Sequence, residues 1–178
     1  MTYFFVDVEA DGPCPGLYSM VSFGAVKFDD TLDKTFYGKT RPISERFNLD
    51  ALKISCPSRE IHMSYDDPAE VMSRFNEWII ENNTGSRPIF ISDNPAFEWQ
   101  WINYYFHMTI GKNPFGYSAR RIGDVYSGVT GNMRAKWKHL RKTAHDHHPV
   151  NDAKGNAEAF KIIQEMLLEV KDLRKNKI

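Results

Sequence analysis

Tyr3–Phe4–Phe5–Val6–Asp7–Val8–Glu9 is an apolar run, rich in aromatic and β-branched residues, that closes on two acids. A run of this kind reads as a buried strand. Side chains alternate faces along a strand, so Asp7 and Glu9 project from one face, a single pleat apart. Carboxylates that close repel unless a cation lies between them, and an all-oxygen ligand set favours Mg²⁺ or Mn²⁺. Two solvated acids at a strand end would give the same pattern. Buried without a partner, they would be costly.

Outward from this strand the chain alternates elements. Residues 20–28 read as a second strand and Lys34–Thr35–Phe36–Tyr37–Gly38 begins a third, with turn-like Asp29–Asp30 between them. Together these suggest an antiparallel meander. Asp66–Asp67–Pro68 starts a helix carrying Val71, Phe75, Trp78 and Ile79 on one face. Pro88–Ile89–Phe90–Ile91–Ser92 is a short strand, after which Asp93–Asn94–Pro95 turns the chain into a helix bearing Phe97, Trp101, Tyr104 and Tyr105. The aromatic segment from Trp99 to Phe106 serves either the core or a homodimer interface. Residues 121–126 are the candidate fifth strand. Asp152 opens the last helix, where Ala153, Ala157, Phe160, Ile163 and Leu167 recur at helical spacing. His147 lies just upstream, in a loop that Pro149 keeps out of helix. An acid opening a helix is often only its cap.

Asp7–Val8–Glu9, Asn94–Pro95–Ala96–Phe97–Glu98 and the pair His147 and Asp152, four residues between them, are each weak signals. Their order and spacing together resemble the DEDDh exonuclease superfamily, named for four acids and a histidine. The resemblance runs from Tyr3 to the final helix. Residues 92–105 and 152–157 are similar to a group of compact bacterial and phage-type 3′–5′ exoribonucleases that includes a mycobacterial enzyme acting on adenylated RNA.

The resemblance implies an α/β, ribonuclease H-like fold, a mixed five-stranded sheet with helices on both faces, in one domain over residues 1–178. It implies that Asp7, Glu9, Glu98 and Asp152 hold two Mg²⁺ or Mn²⁺ ions, which in such sites lie about 3.5–4 Å apart. Glu9 and His147 are then the catalytic residues, with His147 the general base; an unperturbed imidazole is half neutral near pH ~6.5. His145 and His148 are rivals that lack the family's spacing to Asp152. The partner it implies is single-stranded nucleic acid, RNA preferred.

Glu98 departs from the family pattern, which has Asp there. The longer side chain keeps the charge, but displacements of about 1 Å at a reacting centre can cost ~100-fold in rate. Asp93 is a substitute ligand at the wrong place in the motif. The alternatives are a 3′–5′ exodeoxyribonuclease and a weakened nucleic-acid-binding module.

In relatives the segment after the first motif borders the terminal nucleotide. That makes Ala10, through its backbone, and Leu17, Tyr18 and Met20, as stacking or wedge residues, the substrate-binding candidates, with Asn94 and Arg141. Gly12 and Gly16 permit close approach.

At 178 residues the chain is long enough for one substantial core, and with 42% hydrophobic and 26% charged residues it is not disordered wholesale. Lys+Arg and Asp+Glu are both 23, so there is no global basic footprint. The charge is uneven, however: Arg134, Lys136, Lys138, Arg141 and Lys142 precede the histidines with no acid among them. Such a run is either a solvated helix face or a phosphate contact. Trp78, Trp101 and Phe160 are packing residues. No run approaches a membrane span, no secretory signal opens the chain, and Cys14 and Cys56 lack metal spacing. A cytoplasmic protein with both thiols free is the expectation.

Overall fold

The computed structural model describes residues 1–55 and 58–175; Cys56 lies outside them, and Cys14 is a free thiol. Five strands form one mixed sheet in the order β3-β2-β1-β4-β5. These are β1 (Thr2–Ala10), β2 (Met20–Lys27), β3 (Thr35–Lys39), β4 (Pro88–Ser92) and β5 (Ala119–Arg121). The first three pair antiparallel as a meander, while β4 runs parallel to β1 and β5 parallel to β4. The helices are α1 (Leu49–Ser55), α2 (Arg59–Met63), α3 (Pro68–Asn82), α4 (Pro95–Thr109), α5 (Ile122–Thr130) and α6 (Pro149–Lys175). Among the described residues, no helix is long and apolar enough to cross a membrane.

Alternation along β1 decides what each face of the sheet becomes. Phe4, Val6, Val8 and Ala10 point one way, into a cluster with Phe75 of α3, Trp101, Tyr105 and Phe106 of α4, and Phe115. Phe5 points the other way, against Ala153, Ala157, Phe160 and Ile163 of α6. Asp7 and Glu9 share the parity of Phe5, so the α6 face starts apolar and ends in carboxylates. A register shift between Glu9 and Ala10 then turns the strand at that end.

The expected fifth strand is corrected. Ile122, Val125, Tyr126 and Val129 recur at i, i+3, i+4 and i+7 and pack on the α6 face, so the segment is the helix α5, closed by Gly131 at φ 67°. Only three residues, Ala119–Arg121, form β5. The basic run is not a helix face either: it is loop apart from a single 3₁₀ turn, Lys138–Leu140. The aromatic segment of α4 is core, with Trp101, Ile102, Tyr105 and Phe106 fully buried and Tyr104 at its edge. Finally, α6 begins at Pro149 rather than at Asp152, because proline suits the first turn of a helix.

Candidate active site

Gly24 sits directly opposite Asp7 in the β1–β2 register. A Cβ on Gly24 would overlap the Pro149–Val150 peptide, so the bare strand lets the first turn of α6 rest on the sheet. Asp152 is in that turn, its N–H donating to the His148 carbonyl at 3.0 Å. It therefore does not cap the helix; its side chain projects toward Asp7 and Glu9. One carboxylate oxygen from each of Asp7, Glu9 and Asp152 lies within 4.8 Å of the others.

Glu98 reaches the same place from the first turn of α4. Asn94 is the N-cap of α4 but makes no side-chain capping bond; instead its backbone N–H donates to Glu98 Oε1 at 3.3 Å. Glu98 Oε2 is buried without a partner, and so is Asp152 Oδ2. Asp93 pairs with Lys138 at 2.7 Å and is not among the clustered carboxylates Asp7, Glu9 and Asp152.

These acids are not comfortable together. Burial, and then the charges of Glu98, Asp152 and Glu9, push Asp7 well above the usual carboxylate range. Burial and Asp152 raise Glu9 to about 7, and burial raises Glu98 to about 7 as well. Buried carboxylates with unpartnered oxygens on Glu98 and Asp152, and with Asp7, Glu9 and Glu98 raised, fit a divalent cation, which supplies the missing charge to an oxygen-only donor set.

The histidine loop is tied down by Asp146, which accepts from His148 N–H at 3.0 Å and Asn151 Nδ2 at 2.8 Å. These bonds, Asn151 first, hold the Asp146 carboxyl below its usual value. The turn places His147 at φ 60°, a left-handed conformation that costs a non-glycine residue energy and is most often kept at functional sites. Its Nδ1 lies 3.8 Å from Glu9 Oε1, with the ring about half exposed. His148 turns outward and its ring meets that of Tyr37 at a tilt, centroids 4.7 Å apart.

Two contacts were not foreseen. His145 Nδ1 lies 2.7 Å from Asp152 Oδ1. Arg141 is buried, its Nη2 donating to Asp152 Oδ1 at 2.8 Å and to the Asp152 carbonyl at 2.9 Å, across the space left by Gly155. Arg141 thus holds an acid of the site. The basic run divides accordingly, with Arg134, Lys136 and Lys138 lining a cleft of about 630 Å³ together with Asn94 and Arg121. Only the His-x-His spacing before Asp152 hinted at any of this.

The loop after β1 carries the remaining candidates. Met20 is fully buried and its N–H donates to the Tyr105 hydroxyl at 2.9 Å, so its side chain cannot stack on a base. Ala10 is buried too, leaving only its backbone to meet a ligand. Leu17 is exposed, and the Tyr18 ring covers Gly12. Behind them the buried Asp11 accepts from Ser19 N–H and pairs with Arg59, which fastens both ends of the loop.

The sequence profile of the 3'-5' exoribonuclease Rv2179c-like domain matches residues 2–164. The Escherichia coli protein named 3'-5' DNA exonuclease Cap18 is 38% identical over 177 residues, covering 90% of each chain. Cell-death related nuclease 4 (CRN-4) superposes with a TM-score of 0.75 at 14% identity, over 93% of this chain and 64% of that one. The nuclease domain of 3'hExo, a DEDDh family member solved bound to rAMP, superposes with a TM-score of 0.73 at 15% identity, over 92% of both. These superpositions establish the ribonuclease H-like fold. The chain belongs to the 3'-5' exoribonuclease Rv2179c-like domain family, and is a 3′–5′ exonuclease, a phosphodiester hydrolase.

Proposed function

We propose that this family member removes nucleoside 5′-monophosphates one at a time from the 3′ end of single-stranded RNA. The observation that carries the reading is the convergence of Asp7, Glu9 and Asp152 within 4.8 Å, with Glu98 close enough to raise Asp7 and His147 at the exposed rim. Asp7, Glu9 and Asp152 would hold one divalent cation, and Asp7 with Glu98 a second. Two Mg²⁺ or Mn²⁺ ions held there supply the positive charge that the reacting phosphate requires.

The chain's own groups do the rest. His147 takes a proton from the attacking water as the water oxygen bonds to the terminal phosphorus. The P–O3′ bond breaks in line, its electron pair stays on O3′, and solvent protonates it. Arg141 fixes Asp152 from behind, so the carboxylate keeps its place while its neighbours change charge. Leu17 and Tyr18 border the terminal nucleoside, and the Ala10 backbone approaches its 3′-OH. Asn94, Arg134, Lys136 and Lys138 form the wall along which upstream phosphates pass.

RNA rather than DNA is favoured by the description of the family itself. The 38% identity to a protein named as a DNA exonuclease favours the second reading, in which the sugar carries no 2′-OH. The test is a 5′-labelled single strand, as RNA and as DNA of one sequence, incubated with Mg²⁺, with Mn²⁺ and with chelator. The expected result is a metal-dependent ladder shortening from the 3′ end, faster on RNA and absent in His147→Ala. A faster DNA ladder would move the assignment to DNA. Undiminished shortening by folded His147→Ala would remove His147 as base.

A further inference from the structure

His145 has no part in the reaction just described, yet it touches two residues that do. Its Nδ1 lies 2.7 Å from Asp152 Oδ1, and its ring meets that of His147 edge-on with centroids 4.4 Å apart. One nitrogen of each imidazole and one oxygen of Asp152 lie within 4.8 Å of one another. We propose that His145, His147 and Asp152 form a second cation site, selective for Zn²⁺ over Mg²⁺, whose occupation switches the exonuclease off.

The donor chemistry separates the two cations. Mg²⁺ binds oxygen and keeps most of its water, whereas imidazole suits Zn²⁺ and its neighbours in the first transition row. Zn²⁺ takes nitrogen at about 2.0–2.1 Å and carboxylate oxygen at about 2.0–2.2 Å, so tetrahedral donors stand roughly 3.3–3.5 Å apart. In the present cluster the three donors lie within 4.8 Å of one another, with His145 Nδ1 2.7 Å from Asp152 Oδ1. Both imidazoles are about half exposed, at 49% and 48%, and can turn inward; Asp152, 1% exposed and anchored by Arg141, is the fixed corner. The Asp152 oxygen beside His145 is Oδ1, which Arg141 also holds, while Oδ2 is buried without a partner. Solvent reaches the imidazoles and completes the fourth position.

Two consequences follow from shared ligands. A cation on the His147 lone pair leaves the attacking water without a base. A cation on Asp152 also competes with the cation that Asp7, Glu9 and Asp152 would share. This inhibitory half rests on the reading of His147 as general base; the binding half does not.

The test takes the full chain in saturating Mg²⁺ and titrates Zn²⁺ against a chromophoric chelator, with Co²⁺ as the visible-spectrum probe of nitrogen ligation. One Zn²⁺ per chain is expected to bind despite the excess Mg²⁺. His145→Ala, and His145→Phe, which keeps the ring packing but removes the nitrogens, should each weaken it about 100-fold, the loss expected for one ligand of four. RNA shortening at fixed Mg²⁺ is followed in parallel, each protein normalised to its own Zn²⁺-free rate, and the half-inhibitory Zn²⁺ concentration should rise by a similar factor. Equal affinity in all three proteins, or displacement of Zn²⁺ by Mg²⁺, would overturn the site. Weakened binding with unchanged inhibition would overturn the switch. An inactive chain that still binds Zn²⁺ through His145 would instead refute the exonuclease reading and leave the site standing.

Discussion

The two faces of β1 carry opposite solutions to burial. On one, Phe4, Val6 and Val8 meet Phe75, Trp101 and Phe106 in an apolar cluster, with Met20 N–H donating to the Tyr105 hydroxyl within it. On the other, Phe5 meets Phe160, but two residues further on the same parity delivers Asp7 and then Glu9 against the first turn of α6. The first face is finished by folding. The second is left with repelling acids and unpartnered oxygens that folding alone does not satisfy. Alternate residues of one strand thus supply an apolar layer and a cluster of acids.

The largest effect that would sharpen this contrast is on catalysis. Asp7→Asn should cut hydrolysis by about 10³-fold or more, while the metal-free protein melts no lower than the parent, since a buried charge has been removed. Single-turnover RNA shortening and calorimetry check the two halves; a large fall in melting temperature would break the distinction between the faces. Phe75→Ala is the mirror experiment. It should cost about 3–5 kcal/mol in denaturant unfolding, as large-to-small core changes do, with activity per folded molecule retained.

Gly24→Ala tests where the faces join. The added methyl meets the Pro149–Val150 backbone, so about 1–3 kcal/mol of stability and about 10–100-fold in rate should be lost together. Loss of stability alone would mean that Asp152 tolerates displacement. The gentlest probe is pH. Glu9 and Glu98 rise from 4.5 to about 7 on folding, so the folded protein binds more protons than the unfolded chain across that interval. Stability of the metal-free protein is therefore highest below pH ~4.5, as far as these groups go, and is lost as pH rises through about 7. Its melting temperature should fall by about 5–10 °C between pH 5 and pH 8, and Mg²⁺ at pH 8 should restore it. A flat profile would mean that the acids are better solvated than their burial implies.

These differences also explain what could be read in advance. The meander, α3, β4 and α4 were legible because period-2 and helical patterns are local, and the cap Asp67 and the first-turn Pro95 mark the helix starts. Residues 121–126 misled because a short β-branched stretch fits a strand as well as a helix; only burial of Ile122 and Tyr126 on one side decides. Within the site, Asp7 and Glu9 were legible from strand parity. Glu98, Asp152 and His147 depended on spacing within a family pattern. Arg141 and His145 were not legible as partners of Asp152, because their contacts depend on the path of a loop and on the room left by Gly155.

The helix that supplies Asp152 also offers a handle. At about 1.5 Å per residue, the exposed Lys171 on α6 stands roughly 28 Å along the axis from Asp152. A dye or surface tether placed at that position rides on the same helix as Asp152, well away from the carboxylate cluster. Fluorescence from such a label would report each docking of a 3′ end as a change in distance, one molecule at a time.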